Sequence, residues 1–190
     1  FCAGVTVYRA LKRAKIKPGQ RLAVFGVGGL GHLAVQIGHG LGAIVTAIDV
    51  TDEKLARAKE LGASVTLNSA ASNVVKEIRR AGGVHAVLVT SAAKAAYDTA
   101  FRCVRPTGSL LVVGLPSEPI CFPAIQMAAL EVHIQASSVG TRDDIRELLA
   151  MAAAGKIHSQ ITTRPLADAN EVLAELREGR VSGRIVLTPR

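Results

Sequence analysis

Tryptophan is absent from the 190 residues, and aromatic residues make up only 3% of them. Stacking platforms for single-stranded nucleic acid need such rings, so that class of partner is disfavoured. Cysteine occurs three times, at Cys2, Cys103 and Cys121. That is too few and too scattered for a disulfide framework or a CxxC metal knuckle, and it points to a reducing, cytoplasmic compartment. No apolar run reaches the ~18 residues of a membrane span. No basic stretch followed by an apolar core opens the chain, as a signal peptide would. An initiator methionine is also lacking, and the chain opens on Phe1-Cys2-Ala3-Gly4. This reads as a piece of something longer.

Acid is missing altogether from residues 1 to 48, which carry Arg9, Lys12, Arg13, Lys15, Lys17 and Arg21. The net charge is +8. A basic run of this kind suggests either a nucleic-acid patch or a solvated helix face set against an acidic partner segment missing from this chain. No helix-turn-helix or RNA-binding signature accompanies it, which favours the helix face and no nucleic-acid partner.

What is present is a globular composition, 49% hydrophobic and 20% charged. Short apolar, β-rich runs alternate with helical stretches. Arg21–Gly26, Ala43–Asp49, Val65–Leu67, Ala86–Val89, Ser109–Val113 and Glu131–Ser138 read as strands. Leu30–Leu41, Asp52–Leu61, Asn73–Arg80, Ala93–Val104 and Asp143–Ala154 read as helices between and after them. Strands so continuous in apolar character are buried on both faces, as in a parallel sheet. The spacing predicts an α/β fold, a Rossmann-type doubly wound six-stranded parallel sheet with flanking connectors. The dinucleotide-binding domain is expected over 1–155, its first 20 residues forming a connector helix, and 156–190 is expected to form a last helix and strand. No repeat or low-complexity segment is apparent.

Gly26-Val27-Gly28-Gly29-Leu30-Gly31 is a GxGxxG that follows a strand and opens a helix. Gly26 would allow the tight turn, Gly28 the approach of a pyrophosphate, and Gly31 close packing of helix on strand. The helix N-terminus would offer free N–H groups and about half a positive charge to the phosphates. The next strand ends on Asp49, 23 residues after Gly26, where a ribose-binding acid is expected. Its carboxylate would repel a 2′-phosphate by roughly 1–4 kcal/mol at about 4 Å, favouring NAD over NADP. Lys54 could reach the same ribose or be a solvated helix lysine. His32 reads as helix-start structure rather than a proton carrier.

Cys2-Ala3-Gly4-Val5-Thr6-Val7-Tyr8, Lys17-Pro18-Gly19 and the run from Val24 to Gln36 resemble the zinc-dependent alcohol dehydrogenases of the medium-chain dehydrogenase family. So do Leu61-Gly62-Ala63, Val112 to Pro116, Ser138 to Arg142 and the closing Gly183 to Leu187. The resemblance implies a Rossmann cofactor domain that lacks its preceding GroES-like catalytic domain. It places Cys2 on the third ligand of a catalytic zinc, whose other ligands lie outside this chain. A lone cysteine without this context is a small buried apolar residue. The resemblance puts Thr6 beside the nicotinamide ring, although a threonine in a Val-rich helix start reads equally as core.

It also assigns Asp49 and Lys54 to the adenosine ribose, and Gly26, Gly28, Gly29, Leu30 and Gly31 to the pyrophosphate. Main chain at Gly114, Leu115 and Val139 would line the carboxamide, and Arg184 would bind the pyrophosphate. Ile120-Cys121-Phe122, between Pro119 and Pro123, would form an edge strand pairing two copies in a homo-oligomer. Cys103 and Cys121 match no ligand position. The implied reaction oxidises a primary or secondary alcohol to an aldehyde or ketone with hydride transfer to NAD. This chain alone is expected to bind NAD(H) without turnover. The alternatives are a zinc-independent, NADPH-dependent quinone oxidoreductase or enoyl reductase, a standalone NAD-sensing module and a nucleic-acid binder. Cys2 and Asp49 argue against the first.

Overall fold

A computed structural model describes residues 2–189. Phe1 and Arg190, the ends of the expected connector and tail, lie outside the described residues. The elements run α1 Cys2–Arg13, β1 Arg21–Phe25, α2 Gly31–Gly40, β2 Ile44–Asp49, α3 Asp52–Glu60, β3 Val65–Asn68, α4 Val74–Arg80 and β4 Val84–Val89. They continue with α5 Lys94–Cys103, β5 Val104–Val112, α6 Ala124–Leu130, β6 His133–Ala136, α7 Arg142–Ala153 and β7 Ile161–Pro165. A 3-10 turn at Leu166–Asp168 then leads to α8 Ala169–Arg177 and β8 Arg184–Thr188.

Six strands form one parallel sheet in the order β3-β2-β1-β4-β5-β6. The order reverses between β1 and β4, and crevices at such switch points lie at the carboxyl ends of the strands. Residues of β1 alternate between two cores. Leu22 and Val24 pack with α1, α2 and α7, through Leu11, Ile37 and Leu148. Ala23 and Phe25 pack with α4 and α5, through Ile78, Tyr97 and Phe101. Burial of both faces is why the strand reads as one continuous apolar run. Helix α2 approaches this sheet closely: a Cβ on Gly38 would lie 2.6 Å from Leu22 Cδ2 and 3.1 Å from Val45 Cγ2.

Helix α1 is buried on most sides, from Ala3 to Tyr8 and again at Ala10 and Leu11. It ends at Arg13 and not at residue 20, because Lys15 takes a left-handed φ of 52° and the chain then turns at Pro18-Gly19. Its polar stripe faces α7. Arg9 Nη1 and Lys12 Nζ donate to the two oxygens of Asp144 at 2.7 and 3.1 Å. Lys12 also pairs with Glu147 at 2.6 Å, and the Tyr8 hydroxyl donates to Glu147 at 2.6 Å. The acidic partner of the basic run is therefore in the same chain. Asp144 is also the N3 residue of a capping box with Thr141. The Thr141 amide, Arg9 and Lys12 hold its carboxyl well below the usual carboxylate range.

Two further segments differ from the sequence reading. Helix α6 replaces an unassigned stretch, and the chain re-enters the sheet through Glu131 at φ 48°. Ile120–Phe122, expected as an edge strand, carries no strand in the single chain, although Phe122 stacks on Phe101 with ring centroids 5.1 Å apart. Beyond Gly155, β7 and β8 pair in parallel as a separate two-stranded sheet. That region is tied to α2 by Gln36, whose amide donates to the His158 carbonyl at 3.0 Å and accepts the His158 N–H at 2.9 Å. No helix among the described residues is long and apolar enough to cross a membrane.

Candidate functional site

Strand β1 ends in a turn that only glycine tolerates. Gly26 has φ +88°, and its N–H donates to the Ile48 carbonyl at 2.8 Å. A Cβ there would lie 3.0 Å from Thr90 Oγ1 and 3.1 Å from the Ser91 nitrogen. The Thr90 hydroxyl donates back to the Gly26 carbonyl at 2.8 Å. At Gly31 a Cβ would overlap the Gly26 carbonyl oxygen outright. Helix α2 therefore springs from directly behind the turn. At Gly28 a Cβ would meet nothing within 4 Å, so the loop's crest faces open space. Helix α2 has no side-chain cap and no acid in its first turn. The Gly28, Gly29 and Leu30 amides donate to no acceptor among the described residues. Open backbone donors beside a helix N-terminus suit an anion such as a phosphate group.

The loop is braced from both sides. Asp49, at the end of β2, accepts the Val27 N–H on Oδ2 at 2.7 Å. Its Oδ1 accepts the Val50 and Thr51 N–H groups at 2.8 and 3.1 Å. Three of about four carboxylate lone-pair sites are thus taken by backbone, leaving room for one further donor. Asp49 is a loop-setting residue as well as a candidate ribose acceptor. His32 is fully buried. Its Nδ1–H donates to the Gly28 carbonyl at 3.0 Å, and Nε2 accepts the Gln160 N–H at 3.3 Å. This pairing needs a neutral ring, and burial lowers its pKa accordingly. In this form His32 holds the loop, as its place at the helix start led one to expect.

Three cavities surround these groups. Gly26, Asp49 and Lys54 share a space of about 410 Å³ with Ser69, Ser91 and Thr99. Gly28, Gly29, Leu30, Lys54 and Arg184 line a neighbouring one of about 460 Å³. Lys54 borders both, and its ammonium donates to the Gly179 carbonyl at 2.9 Å, reaching toward the C-terminal segment. Arg184 lies against the loop, with its Cδ 3.1 Å from where a Gly29 Cβ would stand. It also lines the third cavity, about 350 Å³, with Cys2, Leu33 and His158.

Cys2 is exposed at that cavity. Thr6, one helical turn on, is buried and donates its hydroxyl to the Cys2 carbonyl at 2.7 Å. Among the described residues no group of three His, Cys, Asp or Glu could hold a metal ion.

The expected carboxamide-lining residues lie apart from these cavities. Gly114 packs against Thr90–Ser91, the same two residues that back Gly26. Its N–H is taken by the Val89 carbonyl at 2.8 Å, and its carbonyl already accepts the buried Tyr97 hydroxyl. One carbonyl lone pair is all that Gly114 has left to offer. Burial pushes the Tyr97 phenol up to about 12, so it remains a donor there. Leu115 is largely exposed. Val139 takes a left-handed φ of 45°, a costly conformation for a β-branched residue. Its neighbour Gly140 sits against Val5, adjacent to Thr6 on α1. Sequence reasoning missed Thr90, Tyr97 and the Gln36–His158 brace, whose partners lie far away in the chain.

The zinc-binding dehydrogenase family matches residues 29–154, more than half of the chain. An alcohol dehydrogenase of Geobacillus stearothermophilus is 43% identical over 98% of this chain and 56% of its own length. The solved alcohol dehydrogenase of the archaeon Aeropyrum pernix superposes with a TM-score of 0.92 at 36% identity, over 99% of this chain and 56% of its own. An acetophenone reductase from Geotrichum candidum, solved in complex with NAD, gives 0.89 at 30% identity, over 98% and 53%. The chain spans about half the length of the relatives it matches. Through the matched segment, the sheet order and the glycine turn, the chain belongs to the zinc-binding dehydrogenases of the medium-chain dehydrogenase family.

Proposed function

We propose that the chain is the NAD(H)-binding part of an alcohol dehydrogenase acting on a primary or secondary alcohol and its aldehyde or ketone. The observation that carries this reading is the loop crest at Gly28. It is open where Gly26 and Gly31 are closed, and it stands at the N-terminus of α2 at the sheet's switch point. The residues present suit the dinucleotide. Free amides at Gly28–Leu30 and the Arg184 guanidinium would take the pyrophosphate. The remaining lone pair on Asp49 would accept a ribose hydroxyl, with Lys54 at the boundary of the two cavities. Thr6 would stand beside the nicotinamide and Val139 would contribute main chain to its carboxamide. When bound, NAD supplies the hydride acceptor. The protein's work is placement and electrostatics.

For a catalytic zinc the chain offers Cys2 as one thiol ligand, and the others must come from outside these residues. The chain by itself should therefore bind NADH and produce none from alcohol and NAD. A second copy would pair along Ile120–Phe122, and the site is that of a cytoplasmic enzyme.

Gly28→Ala tests the reading directly. A methyl there touches nothing in the protein, so the melting temperature should stay within about 1 °C. It would stand where the pyrophosphate belongs, so NADH affinity should fall on the order of tenfold. Equal NADH affinity in the variant would remove the loop from cofactor binding.

A further inference from the structure

The opposite edge of the six-stranded sheet carries a second polar site. Between β4 and β5 the register slips: Val84 pairs with Val104, and Ala86 with Ser109. One residue of β4, His85, thus faces four of β5, Arg105 to Gly108. The extra residues loop outward, with Thr107 at a left-handed φ of 60°. Bulges of this kind re-aim side chains. Together with the turn after α1 the loop encloses a cavity of about 270 Å³, lined by Lys15, Gln20, His85, Arg105, Thr107 and Ser109. No acid lines it. Neither Lys15 nor Arg105 makes an ion pair among the described residues.

The hydrogen bonding here does not close. The Arg21 N–H donates to His85 Nδ1 at 3.1 Å, and Arg105 Nη1 lies 2.6 Å from His85 Nε2. A guanidinium only donates, and a neutral imidazole has one accepting nitrogen. One of these contacts is therefore a donor facing a donor. Burial, and then the nearby Arg105 and Arg21 charges, also disfavour a charged ring. The site has donors from four side chains or more and lacks a negative acceptor. Of the six basic residues before Asp49, Arg9 and Lys12 are paired with α7, Arg13 caps the Ala136 carbonyl, and Arg21 holds the Gly82 and Gly83 carbonyls. Lys15 and Lys17 are left, and of these Lys15 faces this cavity.

We infer that this cavity binds a small phosphate-type oxyanion, free or as a phosphomonoester, at the sheet edge remote from the cofactor loop. The oxyanion would accept from Arg105, Lys15 and the hydroxyls of Thr107 and Ser109. It would also supply the acceptor that the His85–Arg105 contact lacks. A carboxylate ligand would fill fewer of these donors, so phosphate should bind more tightly than acetate.

The test is an amide and imidazole NMR titration of the purified chain with inorganic phosphate, against sodium chloride at matched ionic strength. Saturating shifts at Lys15–Gln20, at Arg105–Ser109 and in the His85 ring support the site. Arg105→Gln and Lys15→Gln, both at partly or fully exposed positions, should each weaken phosphate binding on the order of fivefold to tenfold. Arg184→Gln, at the cofactor loop, should leave the phosphate-induced shifts at Lys15–Gln20 and Arg105–Ser109 unchanged. Shifts confined to Gly26–Gly31 would overturn the inference by assigning phosphate to the cofactor loop. Non-saturating shifts matched by chloride would overturn it as ionic screening.

Discussion

The six-stranded and two-stranded sheets are both parallel and differ in what covers them. In the larger sheet Leu22, Ala23 and Val24 of β1 are fully buried, and the two cores divide its alternate residues between them. In the smaller sheet, β7 is exposed at four of five positions, and Ile161 stays 59% accessible. A two-stranded sheet with an open face has little stability of its own. Here it is held by the Gln36 and His32 hydrogen bonds to His158 and Gln160, and it carries Arg184 back to the glycine loop. The contrast separates two tasks. The large sheet supplies rigidity, and its carboxyl edge presents open amides. The small one brings the Arg184 charge to that edge.

Substitutions should register this contrast in order of size. Gly31→Val forces a side chain into the Gly26 carbonyl and should cost about 3 kcal/mol or more, with loss of NADH binding, by urea unfolding and NADH fluorescence. Leu22→Ala opens a cavity between β1, α1 and α2 and should cost about 2–5 kcal/mol in the same unfolding experiment.

Asp144→Asn removes the charge that binds Arg9 and Lys12 and should cost about 2 kcal/mol at pH 7. Because the folded carboxyl is held below its ordinary value, its contribution is complete above the unfolded value near pH 3.9. It fades as pH falls below that, since the unfolded chain then binds the extra proton. The stability gap between Asp144→Asn and the parent should therefore narrow in acid. A gap constant from pH 7 to pH 3 would show that the charge is not the stabilising feature. Ile161→Thr, on the exposed small sheet, should change unfolding by no more than about 0.5 kcal/mol. A larger cost would mean that the small sheet belongs to the main core.

Much of this fold was legible because buried parallel strands leave continuous apolar runs, as at Leu22–Phe25 and Val87–Val89. The glycine turn was legible because each glycine answers a separate geometric demand. Helix α6 was not, since no residue of Ala124–Leu130 is buried and no polar face marks its period. The end of α1 was overrun because Lys15 carries no local signal for a left-handed turn. The fate of the basic run was hidden for a different reason. Asp144 lies 135 residues from Arg9, and only the fold brings them to 2.7 Å. In the same way the sequence placed Asp49 at the end of its strand without showing that three backbone N–H groups occupy most of its carboxylate.

The measurement that tests the central claim most directly is a fluorescence titration of the chain with NADH and, in parallel, NADPH at fixed salt. The account predicts saturable NADH binding and NADPH weaker on the order of tenfold or more, because a ribose-accepting carboxylate at Asp49 would repel a 2′-phosphate. Equal or tighter NADPH binding would contradict the role given to Asp49 and turn the assignment toward an NADPH-dependent reductase.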